Sequence, residues 1–202
     1  MPHIDGCKRN LVKKFQDIDA FRAWLSLNDI DSSSWGTGNT KSLINLWHEL
    51  NEGEIILFEH PPLRVVNVVQ VIIRQGDYVL LEAEQVFGDG QRRYRDQPPA
   101  EKMKPGETYI EAAMRCLVEE LGVEVNQVQL FPGTHRQVKT YAQSSSYPGL
   151  PALYNLHIVE AAVSGLPETE FWRDNRSFTA GDPIKRHKWV WRRDNVLASP
   201  PD

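Results

Sequence analysis

Cysteine is nearly absent from this chain of 202 residues: only Cys7 and Cys116 occur, so at most one internal disulfide can form. That excludes the disulfide framework of a small secreted domain and points to a reducing compartment. Long apolar runs are missing too. No stretch approaches the roughly 20 apolar residues of a membrane helix. The segment Met1 to Phe15 is mixed polar and basic, without the apolar centre of a signal peptide. Charge of one sign is not in excess either. Lys and Arg number 23 against 27 Asp and Glu, and a net charge of -4 gives no strong pull toward nucleic acid or acidic membranes. No internal repeat or low-complexity tract occurs. The expected location is the cytoplasm, and any anionic ligand must be held by a local site.

What remains is ordinary for a folded protein. The hydrophobic share is 41% and the charged share 25%. The length suffices for one well-filled core with some added structure, and falls short of two full-sized domains. Ile18, Phe21, Trp24 and Leu25 lie at helical spacing, and Leu43, Ile44, Leu46, Trp47 and Leu50 predict a second amphipathic helix ending near Gly53. A loop rich in Ser and Gly, Asp31 to Asn39, separates them and carries Trp35. The tryptophans are expected to pack in a core rather than line a pocket.

From Ile55 the pattern turns to strands. Val65 to Ile73 is nearly all β-branched, which suits a strand buried on both faces. Gln75-Gly76-Asp77 predicts a turn into a partner strand from Tyr78 to Val86, and Gly88-Asp89-Gly90 a second turn. After Arg92-Arg93-Tyr94-Arg95 and a loop marked by Pro98-Pro99 comes the strongest helix signal. Strand-like runs follow at Val125 to Leu130, Arg136 to Tyr141, Leu153 to Val163 and Lys188 to Trp191. Strands on both sides of one central helix predict a layered α/β or α+β fold.

The central helix carries the chemistry. Thr108 with Glu111 fits a capping box, and Gly122 fits a C-terminal cap. Ile110, Ala113, Met114, Leu117 and Leu121 read as its buried stripe, with Arg115, Cys116, Glu119 and Glu120 largely on the other side. Positions 116, 119 and 120 project together. Two adjacent carboxylates there can offer several oxygens to a hard cation.

The segment resembles the Nudix signature G-x5-E-x7-R-E-U-x-E-E-x-G-U, where U is aliphatic. Glu107, Arg115, Leu117, Glu119, Glu120, Gly122 and Val123 stand in register, seven of nine fixed positions. Glu101 replaces the first glycine and Cys116 the glutamate after the arginine. The resemblance implies a mixed sheet sandwiched by helices over residues 61–202, with residues 1–60 as a helical extension packed on it. It implies Mg²⁺ or Mn²⁺ held by Glu119 and Glu120, supported by Glu107, with Glu160 from a downstream strand as a further candidate ligand. Arg115 would hold a glutamate through a charge-assisted bond, and Glu119 or Glu120 would help deprotonate water. The implied partner is a small diphosphate-containing ligand, with no membrane and no strong nucleic-acid signal; a homodimer is left open.

Arg92, Arg93, Arg95, Lys102 and Lys104 are candidates for a cationic rim around phosphates, although alternate arginines on a strand also suit solvated surface. Cys116 reads first as a small buried residue. His135, His157 and His187 have no metal-site spacing and read as ordinary partly buried histidines. The Tyr147-Pro148-Gly149 loop offers an aromatic that either stacks on a base or packs. Two functions stand side by side: a metal-dependent hydrolase of a diphosphate linked to another moiety, and a catalytically weak or inactive module that senses a nucleotide-like ligand.

Overall fold

The computed structural model describes residues 15–38, 40–179 and 184–194. Cys7, Asn39 and most of the Met1–Phe15 segment therefore lie outside the described residues. Among the described residues there are three α-helices and nine strands. The helices are α1 (Ile18–Leu27), α2 (Leu43–Asn51) and α3 (Tyr109–Leu121). The strands are β1 (Ile55–Phe58), β2 (Leu63–Gln75), β3 (Tyr78–Phe87), β4 (Arg92–Gln97), β5 (Ala100–Lys102), β6 (Val128–Gln143), β7 (Pro151–Val163), β8 (Phe171–Asp174) and β9 (Ile184–Arg193). They form a nine-stranded sheet ordered β6-β7-β2-β3-β9-β8, with β1 and β5 also paired to β2 and β4 to β3. The fold is α+β, as the alternation of patterns predicts. Among the described residues no helix is long and apolar enough to cross a membrane.

Two differences from the sequence reading have simple causes. The runs at Val125 to Leu130 and Arg136 to Tyr141 form the single strand β6, preceded by a 3₁₀ turn at Val125–Gln127. Pro132 and Gly133 do not break it, because β6 ends the strand order and an outer strand tolerates a missing N–H donor. Strands β5 and β8 went unread because three and four residues are too few to show a period of two.

The chain divides into two compact units. One comprises the residues up to Asn67 with Lys139–Asn155. Here Asp17 caps α1 by accepting the Ala20 N–H at 2.7 Å, and Ser42 with Asn45 forms a capping box on α2. Trp24 and Trp35 are buried, and the Trp35 indole donates to the Pro148 carbonyl at 3.0 Å. Tyr147 is fully buried against Trp35, so this aromatic packs rather than presenting a face to a base. The unit's centre is polar. Arg64 Nη2 donates to Glu49 Oε2 at 2.9 Å, while Lys41 Nζ and the Tyr147 hydroxyl reach Glu49 Oε1 at 3.1 and 3.0 Å. Burial and the Glu49 charge push the Tyr147 phenol far above its ordinary value, so it serves as a donor.

The second unit, Val68–Val138 with the residues from Leu156 onward, holds α3. Val69, Val71 and Ile73 of β2, Val159 and Ala161 of β7, and Trp189 of β9 pack with α3 in one buried core. The face that α3 buries is Ala112, Ala113, Cys116, Leu117, Glu120 and Leu121. This corrects the predicted stripe: Ile110 is exposed and Met114 half-buried, while Cys116 and Glu120 turn inward. An inward carboxylate is invisible to a pattern that sorts residues by polarity alone.

Removing one partner from the buried Glu49–Arg64 pair leaves an uncompensated charge. Glu49→Ala is expected to cost about 3–5 kcal/mol in denaturant unfolding, and the apolar double replacement Glu49→Met/Arg64→Met markedly less. A single-variant loss below ~1 kcal/mol would contradict this.

Candidate active site on helix α3

The site begins with the turn into α3. Gly106 takes φ +77°, a backbone that side chains with a Cβ rarely adopt, and brings Glu107 back toward the preceding residues. Glu107 Oε2 accepts the Lys104 N–H at 2.8 Å. Thr108 then caps the helix, its Oγ1 and N–H reciprocating with Glu111 at 3.3 and 2.8 Å. At the other end Gly122 closes the helix at φ +65°. Arg173 Nε donates to the Leu121 carbonyl at 3.0 Å and Arg176 Nη2 to the Gly122 carbonyl at 2.8 Å. These two cations meet the negative end of the helix dipole, which offsets the unfavourable placement of Glu119 and Glu120 in the last turn.

Arg115 organises the acidic residues. Its Nε and Nη2 donate to both oxygens of Glu107 at 2.9 and 3.0 Å, a bidentate pair. Nη2 also donates to the Lys102 carbonyl at 2.7 Å, and Nη1 to Glu119 Oε2 at 3.3 Å. The guanidinium thus joins the strand β5, the entry turn and the last turn of α3. The Arg115 hydrogen bond holds the Glu107 carboxyl below its ordinary range; partial burial opposes this, and the Lys104 amide adds to it. Burial works to lower the Arg115 value, but the Glu107 bond and the charges of Glu101, Glu107 and Glu119 outweigh it and raise it.

Cys116 is fully buried. Burial, reinforced by the charges of Glu120 and Glu101, pushes its thiol well above the usual range, so it stays neutral. That state offers neither a thiolate for a soft metal nor an oxygen for a hard one. Glu120, only 8% exposed, lies one turn further along the same inward face.

The arginines of β4 are engaged across the strand pair with β3. Arg92 reaches Glu84 at 2.7 Å, Arg93 donates to Gln85 at 2.9 Å, and Arg95 meets Glu82 at 3.3 Å and Gln97 at 2.7 Å. Lys104 is exposed and Lys102 half-buried. Glu160 is not brought to the other candidates. Its neighbours Val159 and Ala161 pack under α3, so alternation turns Glu160 to the opposite face of the sheet. There it pairs with Arg74 at 3.6 Å and lines a cavity of about 280 Å³ with Arg136 and Asp194.

The sequence reading passed over Glu82 and paired none of the histidines. Glu82 is buried on β3 and hydrogen-bonded to His187 of β9, which is 1% exposed. Burial alone would raise the Glu82 carboxyl, but the Arg95 charge and the His187 bond hold it below its ordinary value. A glutamate within the apolar run Val79 to Ala83 was the available signal. His135 Nε2 and His157 Nδ1 stand 3.2 Å apart, and the His135 ring stacks on Tyr109 with centroids 3.9 Å apart.

Glu119 and Glu120 carry carboxylate oxygens of the hard kind that could hold Mg²⁺ or Mn²⁺. Among the described residues, no group of three or more His, Cys, Asp or Glu side chains is arranged to hold an ion by itself. Two carboxylates alone would leave most of such an ion's coordination shell to other oxygens.

A NUDIX domain family model matches residues 61–198. Among solved structures, a NUDIX hydrolase from Nitrosomonas europaea is 23% identical over 61% of this chain and 70% of its own, with a TM-score of 0.37. An Ap4A hydrolase from C. elegans is 17% identical over 66% and 85%, with a TM-score of 0.37. A NUDIX-family hydrolase from Clostridium perfringens is 16% identical over 67% and 85%, with a TM-score of 0.38. Among curated proteins no match is found.

The clamp has a consequence in acid. Glu107 has its folded value depressed below the ordinary 4.5, so it contributes stability that is present above pH 4.5 and lost as pH falls through the folded value. Thermal melts from about pH 6 to pH 3 should show this loss in the wild type and a flatter profile in Arg115→Met. Parallel profiles would contradict the clamp.

Proposed function

Because the chain belongs to the NUDIX domain family, we propose that it hydrolyses a diphosphate linked to another moiety, such as a nucleoside diphosphate derivative, using Mg²⁺ or Mn²⁺. The observation that carries this is the Arg115 clamp, which orients Glu107 and Glu119 one residue from the inward-turned Glu120. A cluster held this way is costly to assemble for surface decoration, since its carboxylates repel one another.

Glu119 and Glu120 hold the ion in this reading, and Glu107 and Arg115 position them. The bound ion neutralises diphosphate charge and acidifies water. Glu119 is tied to Arg115 and acts as an oriented ligand, so Glu120 is assigned to receive the proton of the attacking water. Partial burial of that carboxylate keeps competing solvent away and strengthens its interactions. Lys104, exposed on the turn before α3, is the cation we assign to the outer phosphate. The β4 arginines are bonded to β3, so none of them is assigned to the phosphates.

A second reading, a module that binds such a ligand without turnover, is favoured by one feature: Cys116 puts a neutral buried thiol where the signature has a carboxylate. Metal-dependent phosphate release from a panel of nucleoside diphosphate derivatives separates the two. Hydrolysis is expected in the wild type, and Glu120→Gln should lower kcat by ~100-fold or more, about 3 kcal/mol of barrier, with an unchanged circular dichroism spectrum. Ligand-induced thermal shifts without any turnover would favour the binding module instead.

A further inference from the structure

We infer that Glu101 supplies from β5 the carboxylate that Cys116 does not supply from α3, so that the two departures from the signature compensate each other. The inference rests on the reading of Glu119 and Glu120 as ion ligands.

Strand register places the Glu101 side chain. Glu101 stands directly opposite Val69 in the antiparallel β2–β5 pair, and opposed residues share a face of the sheet. Val69 is fully buried in the core that contains Cys116, so Glu101 projects toward α3. The Arg115 bond to the Lys102 carbonyl fixes β5 against that helix at 2.7 Å. The Lys102 N–H orients one Glu101 oxygen, at 2.7 Å. The charge of Glu101 is felt at both the Cys116 thiol and the Arg115 guanidinium, as expected of a carboxylate beside the site.

The same face carries a polar atom that suits a ligand or water. Trp189 packs in this core, so His187 two residues earlier shares its face. With Nδ1 on Glu82, His187 keeps Nε2 buried and without a hydrogen-bond partner among the described residues.

Charge explains why both changes occur together. A glutamate at 116 would add a fifth carboxylate to Glu101, Glu107, Glu119 and Glu120, served by one clamping guanidinium, and like charges at close range disfavour ionisation. The thiol keeps the number at four. Moving the third carboxylate from helix to strand preserves the charge available to an ion that arrives with its diphosphate.

Electron paramagnetic resonance titration of the full chain with Mn²⁺, in the presence of methylene diphosphonate, tests this without relying on turnover. Glu101→Gln should weaken Mn²⁺ binding by roughly tenfold or more, and Glu101→Gln/Cys116→Glu should recover most of it. Glu101→Asp, which keeps the charge and shortens its reach, should fall between wild type and Glu101→Gln, and carries the test if the glutamine variant does not fold. Loss of binding in Glu120→Gln with no change in Glu101→Gln or Glu101→Asp would overturn this inference and leave the proposed function standing. A weakened Glu101→Gln that Cys116→Glu fails to rescue would overturn the compensation. Wild-type protein that binds no Mn²⁺, or binds it equally after Glu120→Gln, would overturn both readings.

Discussion

One guanidinium holds the site together. Arg115 ties the backbone of β5, both oxygens of Glu107 and one oxygen of Glu119, so three chain segments are fixed relative to one another through a single side chain. Lysine could not do this, because a point charge lacks the planar fork that engages two carboxylate oxygens and a carbonyl at once. The arrangement also explains why the acidic residues coexist. Each carboxylate near the helix raises the cost of ionising its neighbours, and a cation that cannot deprotonate offsets that cost at all ordinary pH values.

Buried charge elsewhere follows the same logic. Glu82 sits in the sheet between Arg95 and His187, and Glu49 between Arg64, Lys41 and Tyr147. Each is a carboxylate whose desolvation is met by more than one donor, the condition under which a buried ion is tolerated. The two units of the chain thus each carry a polar centre within an apolar core. They differ in use. The Glu49 cluster pins loops around α2, whereas the Glu82 pair lies under the helix that carries the signature.

Much of this was legible in the sequence. The ends of α3 were fixed by Thr108, Glu111 and Gly122, whose chemistry is local and needs no tertiary information. The signature spacing located Arg115, Glu119 and Glu120. What stayed hidden depended on contacts far apart in the chain. The inward turn of Glu120 required knowing that sheet and helix enclose polar groups as well as apolar ones. Glu160 is a further candidate ligand by sequence, from a downstream strand; a strand's period of two sets its face, and its neighbours Val159 and Ala161 are the ones that pack under α3. The histidines carried no spacing signal because His135 and His157 meet across strands, 22 positions apart.

The caps on the far end of α3 bear on the order in which the molecule is made. The guanidinium that meets the Leu121 carbonyl lies 52 positions later in the chain, and the one that meets Gly122 lies 54 positions later. A ribosome releases the whole signature helix before either arginine has been polymerised. During that interval Gly122 closes the helix end, but no cation from later in the chain meets its negative dipole beside the last-turn glutamates. The helix reaches its finished electrostatic state only when Arg173 of β8 and Arg176 beyond it are in place. Completion of the helix's carboxy-terminal electrostatics, though not of the Arg115 clamp, therefore waits for residues that contribute nothing to the signature itself.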